Sequence, residues 1–497
     1  MITRSLFRLA LVTALLFTAQ VVMAQHDMGG GGTTSGSATA GGSSRSSTTV
    51  RRPPVRRPPP RTTPPPVRRG ITAEQYNAMG DEAFKGEKYD DALEAYQKAV
   101  SMKPIASAYY HIGWIQNDHE DYDEALVSLQ QAVTLNPNDA VAFNELGYSY
   151  RNLKRYGEAL DAYRKATQLR SDYASPYYQI GWVYNEQGQY ANAIQPLKQA
   201  ASLKDNYHEA YNEMGYSYYK LNRSQEAISA YQEAIRMKSD YGSAYLGLGD
   251  TYFYQTKQYQ QAVEAYRQGV RYKDDNATAF YNLAWSANEV KEYGEAAAAA
   301  KRAIALQANY PEAYVELGYA NRKLNSPTEA VNAYQEAIRL KPNYGSAYIG
   351  LGDVYYLDSK PRRCQDAVTP YQQAIGINPN NALIRYRLGW CYNDLNQFGQ
   401  AAEHLKVATQ LKPEDYEAHT EFGFALYKLN RLPLALEELR AAIRLKNDYA
   451  LPHYYAGLVY IQQNNKAAAQ EQYVILTRLD QSLAKKLAEA APPNMRK

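Results

Sequence analysis

From residue 71 to about residue 483 the chain alternates apolar and polar stripes in a rhythm that recurs twelve times. The clearest register is a small residue inside each first stripe. These markers are Gly80, Gly113, Gly147, Gly181, Gly215, Gly249, Ala284, Gly318, Gly352, Gly389, Gly423 and Gly457, spaced by 33 to 37 residues and mostly by 34. An alanine follows each marker by twelve or so residues, from Ala92 to Ala469, and a second small residue lies seven further on, from Ala99 to Ala442. Four after the first alanine stands a bulky side chain on the same helical face: Tyr96, Leu129, Tyr163, Leu197, Tyr231, Tyr266, Tyr334, Tyr371, Leu405, Leu439 or Tyr473. The pattern predicts two amphipathic helices per repeat whose axes approach closely at the small residues. A period of 34 marks a helix–turn–helix solenoid. Pro176, Pro311 and Pro452 fall at starts of first helices, where a missing amide donor costs nothing, and Pro196 and Pro370 fall inside second helices, where a kink is expected.

The combination of a small marker, an alanine, a bulky residue, a second alanine and a closing proline or turn residue (Pro104, Pro137, Pro342, Pro379, Pro413) resembles the tetratricopeptide repeat. Departures are local: Gly269 stands at a second alanine position, Ala284 replaces a marker glycine, and Leu476 occupies the second small position of the last repeat. The resemblance implies an all-α fold, an α-solenoid superhelix of about twelve antiparallel helix pairs, A and B, whose concave wall is built mostly from A helices. The array is expected over 71–483, with a C-terminal capping helix and tail over 484–497.

A longer period is superposed. The residue after the marker runs Trp114, Tyr148, then Trp182, Tyr216, Asp250, then Trp285, Tyr319, Asp353, then Trp390, Phe424, Leu458, so all four tryptophans share one slot. Offsets of 103 and 105 residues, and the near identity of SDYGSAYLGLGDTYF with PNYGSAYIGLGDVYY, indicate duplication of a three-repeat unit. The family resemblance implies that this slot and its helical neighbours face the groove. In the tryptophan repeats these are Tyr110, Trp114, Asn117 and Asp118; Tyr178, Trp182, Asn185 and Glu186; Tyr281, Trp285, Asn288 and Glu289; and Tyr386, Trp390, Asn393 and Asp394. The following repeats add Glu145, Glu213, Glu316 and Glu421. Such a strip suits an extended polypeptide or a glycan, with amides for backbone and aromatic faces for rings or cations. The alternative is that the triplet records duplication alone and the tryptophans pack into the core. The family's clamp of Lys, Arg and Asn for a terminal carboxylate is not matched.

Composition changes the picture mainly at the amino terminus. Residues 1–70 hold ten arginines, no lysine and one acid, a net +9, whereas the remainder carries −5. Arg4 and Arg8 precede an apolar stretch and a small-residue cut after Ala24, so 1–24 is expected to be an export signal; the stretch is short for a membrane anchor, the rival reading. Residues 25–70, Gly/Ser-rich and then RRPPVRRPPPRTTPPPVRRG, cannot bury a core and are expected to form a linker, either a spacer or an arm that contacts cell wall or membrane. No aromatic interleaves these arginines, which argues against specific nucleic acid binding. The expected location is periplasmic or extracellular, in a bacterium on the form of the cut; Asn222 and Asn276 lie in glycosylation triplets that matter only on a eukaryotic route.

Catalytic chemistry finds little support. The seven histidines form no metal-spaced cluster, and no HExxH, GxSxG or phosphate-loop string occurs. Ser217 to Lys220 matches Ser-x-x-Lys on an ordinary helix face. No cofactor, metal or catalytic residue is expected. Cys364 and Cys391, the only cysteines, fall on helices expected to pack together, and an oxidising compartment could join them; two buried thiols are the alternative. The forty-eight tyrosines beside nine phenylalanines point to many positions that are apolar at one end and polar at the other. Two functions fit: an exported scaffold that holds extended polypeptide or polymer in its groove, or a structural protein that assembles with its own copies through the basic arm or the solenoid ends.

Overall fold

The computed structural model describes residues 70–492; the expected leader, the arm up to residue 69 and the last five residues lie outside the described residues. All regular structure among the described residues is helical. Twelve helix pairs run from Ala73–Lys85 with Tyr89–Met102 to Ala450–Gln462 with Lys466–Leu479, and a last helix spans Gln481–Ala490. The Asp480 carboxylate accepts from the Leu483 amide at 3.0 Å and caps that helix. Pro196 and Pro370 both sit inside B helices of 14 residues that continue past them.

Most A helices stop on one residue in the left-handed region. It is an asparagine at Asn222, Asn325, Asn396, Asn430 and Asn464 and a glycine at Gly188 (φ +72°), the residue types for which this conformation is cheapest. Glu87, Glu120, Lys154, Lys257 and Lys291 adopt it with less suitable side chains.

The core is a continuous seam between A and B helices. The bulky B-helix residues Tyr96, Leu129, Tyr163, Leu197, Tyr266, Tyr371, Leu405 and Leu439 are all wholly buried. Each lies on a marker glycine, and a Cβ there would collide: 2.4 Å from Leu197 Cγ if added at Gly181. The Tyr231 ring is sandwiched between Gly215 and Gly247 of successive A helices, at 2.7 and 2.4 Å from the Cβ each lacks. Where the marker is Ala284, the residue opposite is Ala300, so the extra methyl is met by a smaller partner. In the last repeat Gly457 receives Leu487 of the terminal helix, at 2.5 Å, and Tyr473 is left half-buried. The terminal helix thus supplies the apolar cover that a further repeat would have provided.

Two A helices differ from the rest. Gly242–Asp250 and Gly345–Asp353 pass into π-helical turns, Thr251–Thr256 and Val354–Asp358. These are the third members of the triplets, where the next marker follows Gly249 by 35 residues and Gly352 by 37. The widened turn absorbs the insertion within the helix in the first, and Ser359–Arg363 forms a short connection in the second.

Candidate functional site

The slot after the marker lies on the A helices, and its tryptophans are not equivalent. Trp285 is 5% exposed and packs edge-on to Phe253, at 5.0 Å between ring centroids. Its repeat has the alanine-rich B helix YGEAAAAAKRAIAL, and every residue from Tyr281 to Asn288 is buried. Trp114, Trp182 and Trp390 are half-buried, as are Tyr110, Tyr178 and Tyr386. Trp114 meets Phe84 at 5.0 Å and Tyr89 at 5.5 Å. Asp118, Glu186 and Asp394 are exposed at the ends of their A helices, and Glu289 is half-buried.

The amides and the second set of acids form a ladder between successive A helices. Asn185 Nδ2 donates to the Glu213 carbonyl at 3.2 Å and to its carboxylate at 2.9 Å; Asn288 does the same to Glu316 at 3.1 and 2.7 Å, and Asn393 to Glu421 at 3.0 and 2.9 Å. Asn117 donates to the Glu145 carbonyl at 3.2 Å, while the Glu145 carboxylate accepts from Asn144. Ser149 and Ser217 donate to the Oδ1 of Asn117 and Asn185, each at 2.7 Å. All four asparagines are buried. Burial raises the carboxyls of Glu213 and Glu421 to about 7 and raises that of Glu145, against the hydrogen bonds from the asparagines. These groups lock the spacing of A helices; the carboxylates that face water are the terminal ones.

Two tryptophan faces are already covered by guanidinium groups. Arg151 lies 4.5 Å from the Trp182 ring and 4.7 Å from the Tyr148 ring, and donates to Gln179 at 2.7 Å. Arg362, from the connection after Asp358, lies 4.4 Å from the Trp390 ring and 5.0 Å from Tyr356. Lys220, Lys323 and Lys428 lie over Tyr216, Tyr319 and Phe424 at 5.2 to 5.6 Å. Reading the slot alone misses these cations. Except for Arg362, which comes from the connection ten residues after Gly352, their signal is a basic residue four or five after the marker in the middle repeat of each triplet.

The aspartates of the slot form a third series, and it has a member the slot pattern did not include: Asp81 follows Gly80 directly. In each case a B-helix phenol donates to the carboxylate, Tyr96 to Asp81 at 2.9 Å, Tyr266 to Asp250 at 2.6 Å and Tyr371 to Asp353 at 2.8 Å. The next A helix contributes the residue three before its tryptophan. That residue is His111 at 3.9 Å from Asp81, Asn282 at 3.5 Å from Asp250, and Arg387 in contact with Asp353. Asp353 also takes Arg322 at 3.0 Å, and Arg322 pairs further with Asp358 at 2.6 Å. Burial raises the Asp250 carboxyl to about 6, against hydrogen bonds from Tyr266 and Asn282.

Cys364 opens the B helix Cys364–Ile377 and Cys391 lies in the A helix Ala382–Asp394; both are buried in one apolar cluster as free thiols. Hydrogen bonding with Cys364, then burial, pushes the Cys391 thiol up. Among the described residues there is no group of three or more His, Cys, Asp or Glu placed to hold a metal ion, and no helix is long and apolar enough to cross a membrane.

Comparison with known proteins agrees with this architecture. Models described as tetratricopeptide repeat match residues 77–140, 212–266 and 251–314, residues 138–206 and residues 362–420, and a TPR repeat model matches 322–358 and 425–464. No curated protein matches the chain. Similar solved structures include MamA, at 27% identity over 34% of this chain and 94% of that one with a TM-score of 0.32. YrrB, described as a TPR protein with an unusual peptide-binding site, is 24% identical over 38% of this chain and 97% of its own, with a TM-score of 0.35. PilF of Pseudomonas aeruginosa is 20% identical over 42% and 94%, with a TM-score of 0.39. With repeat models matched from residue 77 to residue 464, and helix pairs in register throughout, the chain belongs to the tetratricopeptide-repeat family.

Proposed function

We propose that this protein is an exported, non-catalytic scaffold that holds an extended polypeptide along the A-helix face of its array. Tetratricopeptide arrays are protein–protein interaction scaffolds, and this chain is one in its matched repeats. The finer reading rests on one observation. Tryptophan repeats recur along the array with half-buried Trp and Tyr rings beside an exposed carboxylate, Trp114 with Asp118, Trp182 with Glu186 and Trp390 with Asp394. Exposed carboxylates that recur beside aromatic rings suit a chain that presents cations at intervals; Arg151 and Arg362 take one face of Trp182 and Trp390, so the bound chain uses the carboxylates and the remaining ring surface.

The test uses the unequal burial of the tryptophans. Trp182→Ala removes a half-buried ring and is expected to weaken peptide capture from a displayed library at least tenfold while the circular dichroism melt stays near that of the parent. Trp285→Ala opens a cavity in the core and is expected to cost about 3–5 kcal/mol. Unchanged capture by a folded Trp182→Ala protein overturns the reading. The export component is tested at Cys364 and Cys391: protein recovered from the exported fraction is expected to take up alkylating reagent at these thiols only after reduction.

A further inference from the structure

The internal duplication supplies its own control for a binding site. Aligning the two triplets pairs Asp250 with Asp353, Tyr266 with Tyr371, Tyr219 with Arg322, Gln255 with Asp358 and Asn282 with Arg387. In the later copy two guanidinium groups close on the Asp353 carboxylate, and that residue is 7% exposed. In the earlier copy both arginine positions are neutral, and among the described residues no lysine or arginine pairs with Asp250 within 4.0 Å. The carboxylate keeps Tyr266 at 2.6 Å and a long contact with Asn282 at 3.5 Å; Asn282 in turn accepts from Tyr254 at 3.2 Å. Asp250 is half-buried where Asp353 is buried.

We propose that the Asp250 site receives a guanidinium group from outside, the side chain of an arginine in the bound polypeptide, in place of the group the later copy supplies from within. A half-buried carboxylate with only phenol and amide partners retains acceptor capacity that a planar donor can fill, and the Asp353 copy shows that this backbone framework accommodates one. Lys220, whose charge acts on Asp250, lies over the Tyr216 ring at 5.2 Å, and burial lowers its pKa against the pull of Asp250. The raised carboxyl of Asp250 agrees with a charge short of a partner. The inference rests on the reading of the A-helix face as a peptide groove but is tested separately from it.

The probe is a blocked tripeptide, acetyl-Gly-Arg-Gly-amide, too short to depend on the rest of the groove, with its citrulline and lysine counterparts. The full chain carries 3-fluorotyrosine at position 254, and its ¹⁹F resonance is followed during titration. The arginine peptide is expected to shift the resonance saturably, and the citrulline and lysine peptides to need on the order of tenfold more. Asp250→Asn is expected to abolish the response. So is the double variant Tyr219→Arg with Asn282→Arg, which rebuilds the internal plug. An equal response to citrulline, an equal response to lysine, retention in folded Asp250→Asn, or no shift at saturating peptide each overturns the proposal. Capture of longer peptides by the wild-type chain without any tripeptide response would remove this site and leave the groove reading standing; a saturable tripeptide response without capture of longer peptides would do the opposite.

Discussion

The Asp250 and Asp353 regions share one backbone plan and a phenol on each carboxylate, yet they solve the burial of that charge in opposite ways. Around Asp353 the charges close on themselves: Arg322 and Arg387 balance Asp353 and Asp358, with side-chain exposures of 8% and 15% for the arginines and 10% for Asp353. Around Asp250 the corresponding positions are Tyr219, Asn282 and Gln255, and the network is neutral apart from the aspartate; Gln255 donates to the Tyr219 carbonyl at 2.6 Å and accepts from Ser224 at 2.7 Å. The solenoid tolerates both because each repeat contacts only its neighbours, so a change in one inter-repeat network leaves the others standing. A buried ion cluster is sensitive to the loss of one member, whereas a lone carboxylate is sensitive to pH and to ligands.

The largest effect expected from this contrast is at Asp353. Asp353→Asn leaves Arg387 without its carboxylate and Arg322 with Asp358 alone, both at low exposure, and is expected to cost about 3–5 kcal/mol. Asp250→Asn keeps an acceptor for Tyr266 and removes a charge that burial penalises, so at neutral pH it is expected to raise stability, by up to about 3 kcal/mol. Because a long repeat array need not unfold in one step, the measurement is urea denaturation followed by hydrogen exchange in the peptides over 311–394 and 208–289. Equal losses at the two aspartates would remove the distinction.

The repeat, the helix pairing and the close approach at the markers are legible in the sequence because spacing alone carries them: Gly181 and Leu197 must meet if their helices pair. The Asn185–Glu213 bond is less legible. Both residues lie on the faces that the family resemblance assigns to the groove, and only the three-dimensional stacking of consecutive A helices shows each closing on the other. Trp285 differs from Trp182 for a similar reason, since Phe253 from the π-turn of the preceding repeat packs edge-on against its ring. Arg151 and Arg362 reach their tryptophans from a neighbouring repeat and a connection, distances along the chain that a single slot cannot register. Asp81 could have been found, as it follows Gly80 in the same slot.

A pH titration sharpens the comparison at an intermediate scale. Asp250 holds its proton up to about pH 6 in the fold, against an ordinary value of 3.8. Between those values the native state binds a proton that the unfolded chain has released, so stability falls as pH rises, and the penalty is absent below about 4 and complete above about 6. Tyr219, Tyr254 and Tyr266 face the carboxylate, and burial raises all three phenols above their ordinary range, clear of that window; Lys220 adds a positive charge nearby that favours the ionised carboxylate. The expected loss is on the order of 3 kcal/mol across it, removed by Asp250→Asn and by the Tyr219→Arg, Asn282→Arg pair. Glu213 and Glu421, raised from 4.5 to about 7, are expected to add a loss of the same sign up to about pH 7 that Gln substitutions remove. Wild type and Asp250→Asn with parallel stability curves from pH 4 to 7 would refute the assignment.

The smallest effect concerns how each of the two A helices ends. Lys257 closes the π-turn after Asp250 at φ +58°, its amide donating to the Tyr252 carbonyl, whereas Ser359 closes the turn after Asp353 in an extended conformation at φ −82°. A left-handed lysine carries about 1 kcal/mol of steric strain that glycine lacks, and glycine returns part of that gain through the greater freedom of the unfolded chain. Lys257→Gly is therefore expected to stabilise its repeat by about 0.5 kcal/mol. At Ser359 there is no strain to relieve, and its hydroxyl donates to the Val354 carbonyl at 3.1 Å, so Ser359→Gly is expected to destabilise by about 0.5–1 kcal/mol through the lost hydrogen bond and the freer unfolded chain. Slower hydrogen exchange over 251–262 in the first variant and slightly faster exchange over 354–367 in the second are the opposite signs this difference requires. Two changes of the same sign would show that the turns are held by their surroundings and not by their own backbone conformations.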